Sequence, residues 1–538
     1  MAVRVAVVEE RVGPCRPAPN PRPWGIRGAG EAPQEPIGIR GAAEAPQEST
    51  GIRGAAEASD DRSDGGVRRR FASTTRYRAP SRRSRRPRAR RRVVKVAVVV
   101  LLALLHAAPA IAGDLLIAAG DVTSTSAVLW ARAPEAGDVV FEYGPAGEAE
   151  RGRLEAAASA ATDFTVKRRV DGLRPGTRYV WRARSGELTA AGEFATAPPP
   201  SEPARVRWVW SGDLGSAGNC RRVDDGYRIF AAMERARPDF FIFAGDTIYA
   251  DHACRGPEFV PGSGFIATTL EGYRAKHRYN REDAAFAAFL RKVPVYAIWD
   301  DHEVRNDFAG PFEPLMPAGR RAFLEYWPIE PPASEPGRLY RSVRWGRLLE
   351  VFILDTRQYR SANSEPDGPG KTMLGAAQRA WLLDGVTAST ATWKVIVSSV
   401  SLSVPTGRGH RDSWSSATVW GIPEEGGTGF ATERDAILRA FRVRGVRNLV
   451  FLAADVHHAE LIRHHPTHDF SFHEFIAGPL SASLGRPRPL DAALNPRSLF
   501  ATGGARNFGE VVLEDGRLTV RIVDEDGSTL FTHTTGAE

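Results

Sequence analysis

Sulfur is scarce in this chain of 538 residues, which has three cysteines and four methionines. No C-x-x-C pair, G-x-S-x-G elbow or Walker loop occurs, so thioredoxin-like, serine-hydrolase and P-loop chemistries lack their signatures. No apolar run reaches the ~20 residues that a membrane-spanning helix needs. The composition, 42% hydrophobic and 25% charged with 52 Gly and 38 Pro, excludes collagen-like, coiled-coil and fully disordered classes. What remains is a globular chain with room for two or three domains.

The net charge of +8 suggests nucleic acid until it is located. Residues 1–112 hold 22 of the 72 Lys and Arg and 10 of the 64 Asp and Glu, so they carry +12 and the remainder −4. The folded body therefore offers no electrostatic case for a nucleic-acid partner. Within residues 1–81, near-copies of GIRGAxEA begin at Gly25, Gly38 and Gly51. Each has one Ile and no face to bury, so this low-complexity extension reads as disordered, or as the product of a misplaced start codon. Residues 82–112 read as a signal peptide: an Arg-rich region, an apolar run of about a dozen residues, and the small-residue site Ala110-Ile111-Ala112. Arg90-Arg91-Arg92-Val93-Val94-Lys95 also fits a twin-arginine pattern. The expectation is a secreted or periplasmic protein with no transmembrane anchor after cleavage and the twin-arginine machinery as a candidate partner. Export leaves Cys220 and Cys254, an even pair in an oxidising compartment that suggests one disulfide. Two free thiols, or Cys220 as a thiolate ligand, are the alternatives.

Residues 113–197 show short alternating runs and no helix, with Leu173-Arg174-Pro175-Gly176-Thr177-Arg178-Tyr179 resembling the tyrosine corner of fibronectin type III sandwiches. Ala197-Pro198-Pro199-Pro200 reads as a stiff linker. Residues 204–538 alternate strand-like runs with helical patterns near 225–236, 271–292, 317–326, 375–386 and 431–443, which argues an α/β fold. The polar stretch around His464, His465 and His468 reads as solvated. Residues 404–429 read as a surface loop near the site, in which Trp414 either lines the substrate cleft or packs the loop.

Five of those strands end in an acid: Asp213, Asp246, Asp300-Asp301-His302, Asp355 and Asp455-Val456-His457. One such acid is usually a cap or turn former. Five together, beside His, Asn and Tyr, would repel one another unless a cation sits among them, and mixed oxygen and nitrogen ligands suit hard or borderline metals.

GDTIYAD, WDDHEVRND, LDTRQYR, ADVHH and the closing NFGEVVLEDG together resemble the alkaline phosphatase D (PhoD-like) family of metallophosphoesterases. The resemblance covers residues 114–538 and implies a four-layer α/β/β/α sandwich preceded by a small all-β sandwich domain. It also implies two or more metal ions, ferric iron plus calcium, on Asp213, Asp246, Tyr249, Asp301, Asp455 and His457. Asp355 and Asn306 rank lower as ligands. His302 is implied at the leaving group and Arg357 as phosphate clamp. Bridging Cys220 to Cys254 would tie together two loops that the family places side by side. This chain has Gly212-Asp213 where several members carry Ser-Cys, and Ala454 where Gly is usual. The implied activity is that of a secreted phosphohydrolase cleaving phosphate esters by direct attack of a metal-bound hydroxide. A phosphodiesterase or phospholipase D-like activity on the same metals is an alternative, as is a cell-surface binding protein with an inactive metal domain.

Overall fold

Seven strands open the fold: β1 (Leu116–Gly120), β2 (Ser126–Arg132), β3 (Gly137–Pro145), β4 (Gly152–Ala158), β5 (Thr165–Asp171), β6 (Arg178–Ser185) and β7 (Leu188–Ala195). The computed structural model describes residues 113–149 and 151–538, so the extension and the signal-peptide reading lie outside the described residues. Strands β1, β2 and β5 pack over the sheet β4-β3-β6-β7. The backbone N–H of Arg174 donates to the Tyr179 hydroxyl at 2.9 Å, which closes the expected tyrosine corner.

The sandwich is not set apart by its proline linker. Strand β2 is buried along its whole length because its two faces serve two cores. Ala127, Leu129 and Ala131 fill the sandwich, while Trp130 points into the larger core beyond. There Arg281 lies over the Trp130 ring at 4.1 Å. Asp163 accepts from both Arg132 and Arg278, which ties the sandwich to the helices of the main body.

The main body begins with β8 (Val206–Ser211), α1 (Ile229–Arg235), β9 (Phe240–Ala244), α2 (Leu270–Arg281), α3 (Ala284–Lys292), β10 (Val295–Ile298) and α4 (Met316–Tyr326). The helical pattern over 271–292 is two helices. Asp283 separates them by accepting from the Phe286 N–H and capping the second. Then follow β11 (Arg341–Trp345), β12 (Leu349–Ile353), α5 (Gly375–Ala388), β13 (Trp393–Val397), α6 (Ala431–Val443) and β14 (Leu449–Ala453). Last come β15 (Ala459–Thr467), β16 (Phe470–Ile476), β17 (Pro496–Thr502), β18 (Asn507–Glu514), β19 (Arg517–Asp524) and β20 (Thr529–Gly536).

These strands form two sheets. One runs β20-β19-β18-β8-β9-β10-β1-β2-β5, so half of the sandwich continues the central sheet through the β10–β1 pair. The other runs β11-β12-β13-β14-β16-β15-β17. Alternation along β9 shows the layering. Phe240 faces inward to Trp345 of the second sheet at 4.7 Å, and Phe241 faces outward to Phe289 of α3 at 5.6 Å. On the far side, Phe352, Ile396 and Phe451 pack against α5 and α6. The result is the four-layer α/β/β/α sandwich. Because β8, β9 and β10 are parallel to one another, as are β12, β13 and β14, the loops after them gather at one edge of the two sheets.

Candidate metal centre

The loop after β8 brings Asp213 and the loop after β9 brings Asp246. Asp213 and Asp246 come within 4.8 Å of His457, which follows β14. The Tyr249 hydroxyl stands 2.8 Å from His457 Nε2. A second group of the same tightness joins Asp246 to Asp301 and His302 on the loop after β10. Asp246 thus belongs to both groups, as a bridging ligand must. Asp455 joins through its backbone, whose N–H donates to Asp213 Oδ1 at 3.2 Å.

Asp213, Asp246, Asp455 and His457 have φ values of 65°, 52°, 66° and 58°. Four non-glycine residues in the left-handed region within one site is strain concentrated where it aims side chains. The Ala454 substitution has a local counterpart, since a Cβ on Gly212 would stand 2.6 Å from the Ala454 methyl. Glycine at 212 makes room for alanine at 454.

Electrostatics identify what this cluster lacks. Asp213 Oδ2, Asp300 Oδ2, Asp301 Oδ1 and Asp455 Oδ2 are buried without a hydrogen-bond partner. Burial first, and then repulsion from Asp300 and Asp301, pushes the Asp213 and Asp246 carboxyls well above the usual carboxylate range. Burial followed by Asp246 likewise raises the Tyr249 phenol. His457 is held neutral, with burial and then His302 lowering it to about 4. Orphaned acceptors, a phenol and a neutral imidazole converging in one place fit a cation pair.

His302 is different. Burial alone would lower its pKa, but Asp301 and Asp251 outweigh that and hold it up at about 9. Its Nδ1 meets Asp251 Oδ1 at 2.7 Å, which leaves Nε2 as the nitrogen available at the cleft. Asp251 closes the GDTIYAD motif and was given no role by the sequence reading. Its spacing of five residues from Asp246 was the available signal. Glu303 was also missed. It is buried, raised to about 7 chiefly by burial, and accepts from the N–H groups of Thr247 and Asp300, so it locks the two metal loops together.

Two expected roles do not match the positions found. The Arg357 side chain is 0% exposed, with Nε on Asp300 Oδ1 at 2.6 Å and Nη1 and Nη2 on the Asp412 carboxylate at 2.8 and 2.7 Å. Its donors are engaged with these carboxylates behind the cleft, Nη2 lying 3.9 Å from Asp301 Oδ2, and none of its surface is open to a phosphate in this structure. Asp355 is buried, and its Oδ1 accepts from Trp299 Nε1 and from the N–H groups of Arg357 and Gln358. Gln358 Nε2 serves its Oδ2, so neither oxygen is left for a metal. Asn306 sits exposed on the cleft rim and binds Asp251 through its backbone. The cleft, about 290 Å³, is lined instead by Arg408 and Arg488, both exposed. Cys220 and Cys254 are joined by a disulfide that pins the Asp213 loop to the Asp246 loop. One further expectation fails: His464 is buried and bonded to Glu474 at 2.9 Å. Of the two readings of Trp414, the structure has the packed one, with the indole buried and donating to Ser398.

Residues 216–521 match the PhoD-like phosphatase domain, and residues 112–198 match the N-terminal domain of PhoD-like phosphatases. The chain belongs to the PhoD-like phosphatase family. Alkaline phosphatase D of Bacillus subtilis (strain 168) is 27% identical over 393 residues, covering 63% of this chain and 64% of that one. Purple acid phosphatase 23 of Arabidopsis thaliana is 28% identical over 198 residues, 34% of this chain and 39% of that one. The chain thus spans less than two thirds of either relative. Among solved structures, one of PhoD aligns at a TM-score of 0.64 and 20% identity, covering 79% of this chain and 92% of that one. A purple acid phosphatase from yellow lupin (Lupinus luteus) seeds aligns at 0.55 and 15%, covering 78% and 73%. These two likenesses establish the fold. The PhoD-like sandwich is the one described above, with its loops gathered at the carboxylate cluster.

Proposed function

We propose that this chain is an exported, metal-dependent phosphohydrolase. The observation that carries the reading is the set of buried carboxylate oxygens with no hydrogen-bond partner, gathered between Tyr249, His457 and His302. Ferric iron on Asp213, Asp246, Tyr249 and His457 suits a phenolate-bearing set, and calcium on Asp246, Asp301 and Asp455 suits an oxygen-only one. Such ions, when bound, withdraw charge from phosphate oxygens and acidify water toward neutrality.

The side chains supply the rest. Asp251 holds the His302 ring through Nδ1 so that Nε2 turns its proton toward the departing alkoxide. Arg408 and Arg488, in place of Arg357, hold the non-bridging phosphate oxygens at the mouth. Export rests on the Arg-rich, apolar and small-residue sequence of residues 82–112.

Metal analysis and visible absorption of the protein, together with a panel of phosphomonoesters and diesters, test this reading. Iron with a phenolate absorption band and turnover of at least one ester class are expected. A colourless protein inert toward the whole panel overturns the reading and favours a binding role. His302→Ala should retain the metals and slow alkyl esters by about 10²–10⁴-fold, with a smaller loss for nitrophenyl esters, whose leaving group needs no proton. Equal losses for both would remove His302 from the leaving group.

A further inference from the structure

Beside the metal cleft lies a second cavity of about 300 Å³ that the hydrolytic chemistry does not use. It shares Asp307 and Arg408 with the cleft, so the two are separated by a single wall. Phe312 stands in this cavity with 74% of its surface exposed. That exposure is built. Gly310 has φ 65°, a Cβ there would collide with the Arg360 carbonyl, and its N–H donates to the Arg357 carbonyl at 3.0 Å. On the other side of Phe312, the buried Glu313 carboxylate is held by Arg305. The opposite wall is the turn Thr406–Asp412, closed by the Asp412 N–H on the Thr406 carbonyl at 3.1 Å. Asp412 anchors that turn to Arg357 and Arg360. Both walls are therefore fixed to the same buried arginines that underlie the metal loops.

Arg408 rides on this turn, lines both cavities, and has no ion-pair partner among the described residues. The same cavity is lined by polar groups, Ser364 and His410 among them. A planar ring flanked by polar groups suits a cavity with one exposed aromatic face, whereas an acyl chain needs a continuous apolar groove.

We infer that this cavity receives the ring-bearing arm of a phosphate ester, a nucleoside or a similar planar polar group, stacked on Phe312 while Arg408 holds the phosphate at the shared wall. The inference rests on the phosphohydrolase reading for its phosphate and adds the substrate class.

The test is a binding ratio, which does not depend on turnover. The phosphonate isostere of thymidine 5′-monophosphate, whose P–C link cannot be hydrolysed, and inorganic phosphate are titrated calorimetrically into the metal-loaded full chain. The nucleotide should bind about tenfold more tightly, the size of one base–aromatic stack. Phe312→Ala should collapse that ratio toward one and Phe312→Trp should preserve it. Val443→Ala, a change at a remote exposed site, serves as the control. A wild-type ratio near one, a ratio that survives Phe312→Ala, or tighter binding of dodecylphosphonate than of the nucleotide isostere would each overturn the subsite. Failure of the hydrolase reading would show separately, as absent turnover of every ester with the binding ratio intact.

Discussion

Asp300 and Asp301 are neighbours in sequence at the end of one strand, yet they face opposite environments. Asp300 Oδ1 accepts from Arg357 at 2.6 Å and from Ser399 at 2.7 Å, while Asp301 Oδ1 is buried with no partner. The division extends across the site. Asp213, Asp246, Asp301 and Asp455 form an open set, crowded with like charge and short of donors. Asp355 and Asp412 form a closed set, their oxygens taken by an indole, backbone N–H groups, two side-chain amides and two arginines. Asp300 straddles the two, with Oδ2 left unpaired. An acid at a strand end is therefore ambiguous, and the donors around it decide whether it holds a metal or the loop beneath the metal.

The strongest way to break this distinction is Asp246→Asn. As the shared member of both metal groups, Asp246 should be worth far more than the about 10–100-fold that losing an outer partner costs. The loss of kcat/KM should come with loss of bound metal. The same change replaces a carboxyl whose burial among like charges opposes folding, so the metal-free variant should unfold at higher denaturant than metal-free wild type. Full activity in the variant, or a less stable metal-free form, would place Asp246 outside the open set.

Arg357→Ala probes the other side. It leaves Asp300 and Asp412 buried without their main counter-charge, and breaking a buried pair in this way typically costs about 3–5 kcal/mol. Chemical denaturation should report that loss. A phosphate clamp would behave in the opposite manner, raising KM while leaving the denaturation midpoint in place.

The contrast also explains how much of the molecule could be read from its sequence. Apolar periodicity located the parallel strands β8–β10 and β12–β14 and most helices, because burial on one or two faces is a local pattern. Asp213, Asp246, Asp301 and His457 were legible because metal-ligand types cluster at strand ends. Arg357 and Asp355 were misread because their motif gives residue types but not the direction in which an arginine points. Arg357 turns inward to an Asp412 that lies 55 residues away. His464 was read as solvated from its polar neighbours, yet its partner Glu474 comes from the adjacent antiparallel strand. The continuation of β10 into β1 rests on a single parallel pairing, Gly120 with Val295, that no local pattern announces.

The smallest effect sharpens the comparison most, because it isolates one closed-set acid from charge loss elsewhere. Asp355 lies at a strand end as the metal ligands do, so sequence alone ranks it with them. In Asp355→Asn the retained Oδ1 keeps its bonds from Trp299, Arg357 and Gln358, at 2.9, 3.1 and 3.1 Å. Only the Oδ2 position changes, where a new NH₂ meets the Gln358 amide nitrogen. Gln358 cannot flip without penalty, because its Oε1 accepts from Arg320 and its Nε2 also donates to the Gly337 carbonyl. One buried hydrogen bond is thus replaced by a donor–donor contact, a loss of about 1–3 kcal/mol. The metal complement should not change, since neither Asp355 oxygen is free for an ion. Denaturation and metal analysis on the same preparation separate the outcomes. A modest fall in stability with unchanged metal confirms Asp355 as part of the frame. Loss of an ion would move it into the open set and erase the boundary that Asp300 and Asp301 draw.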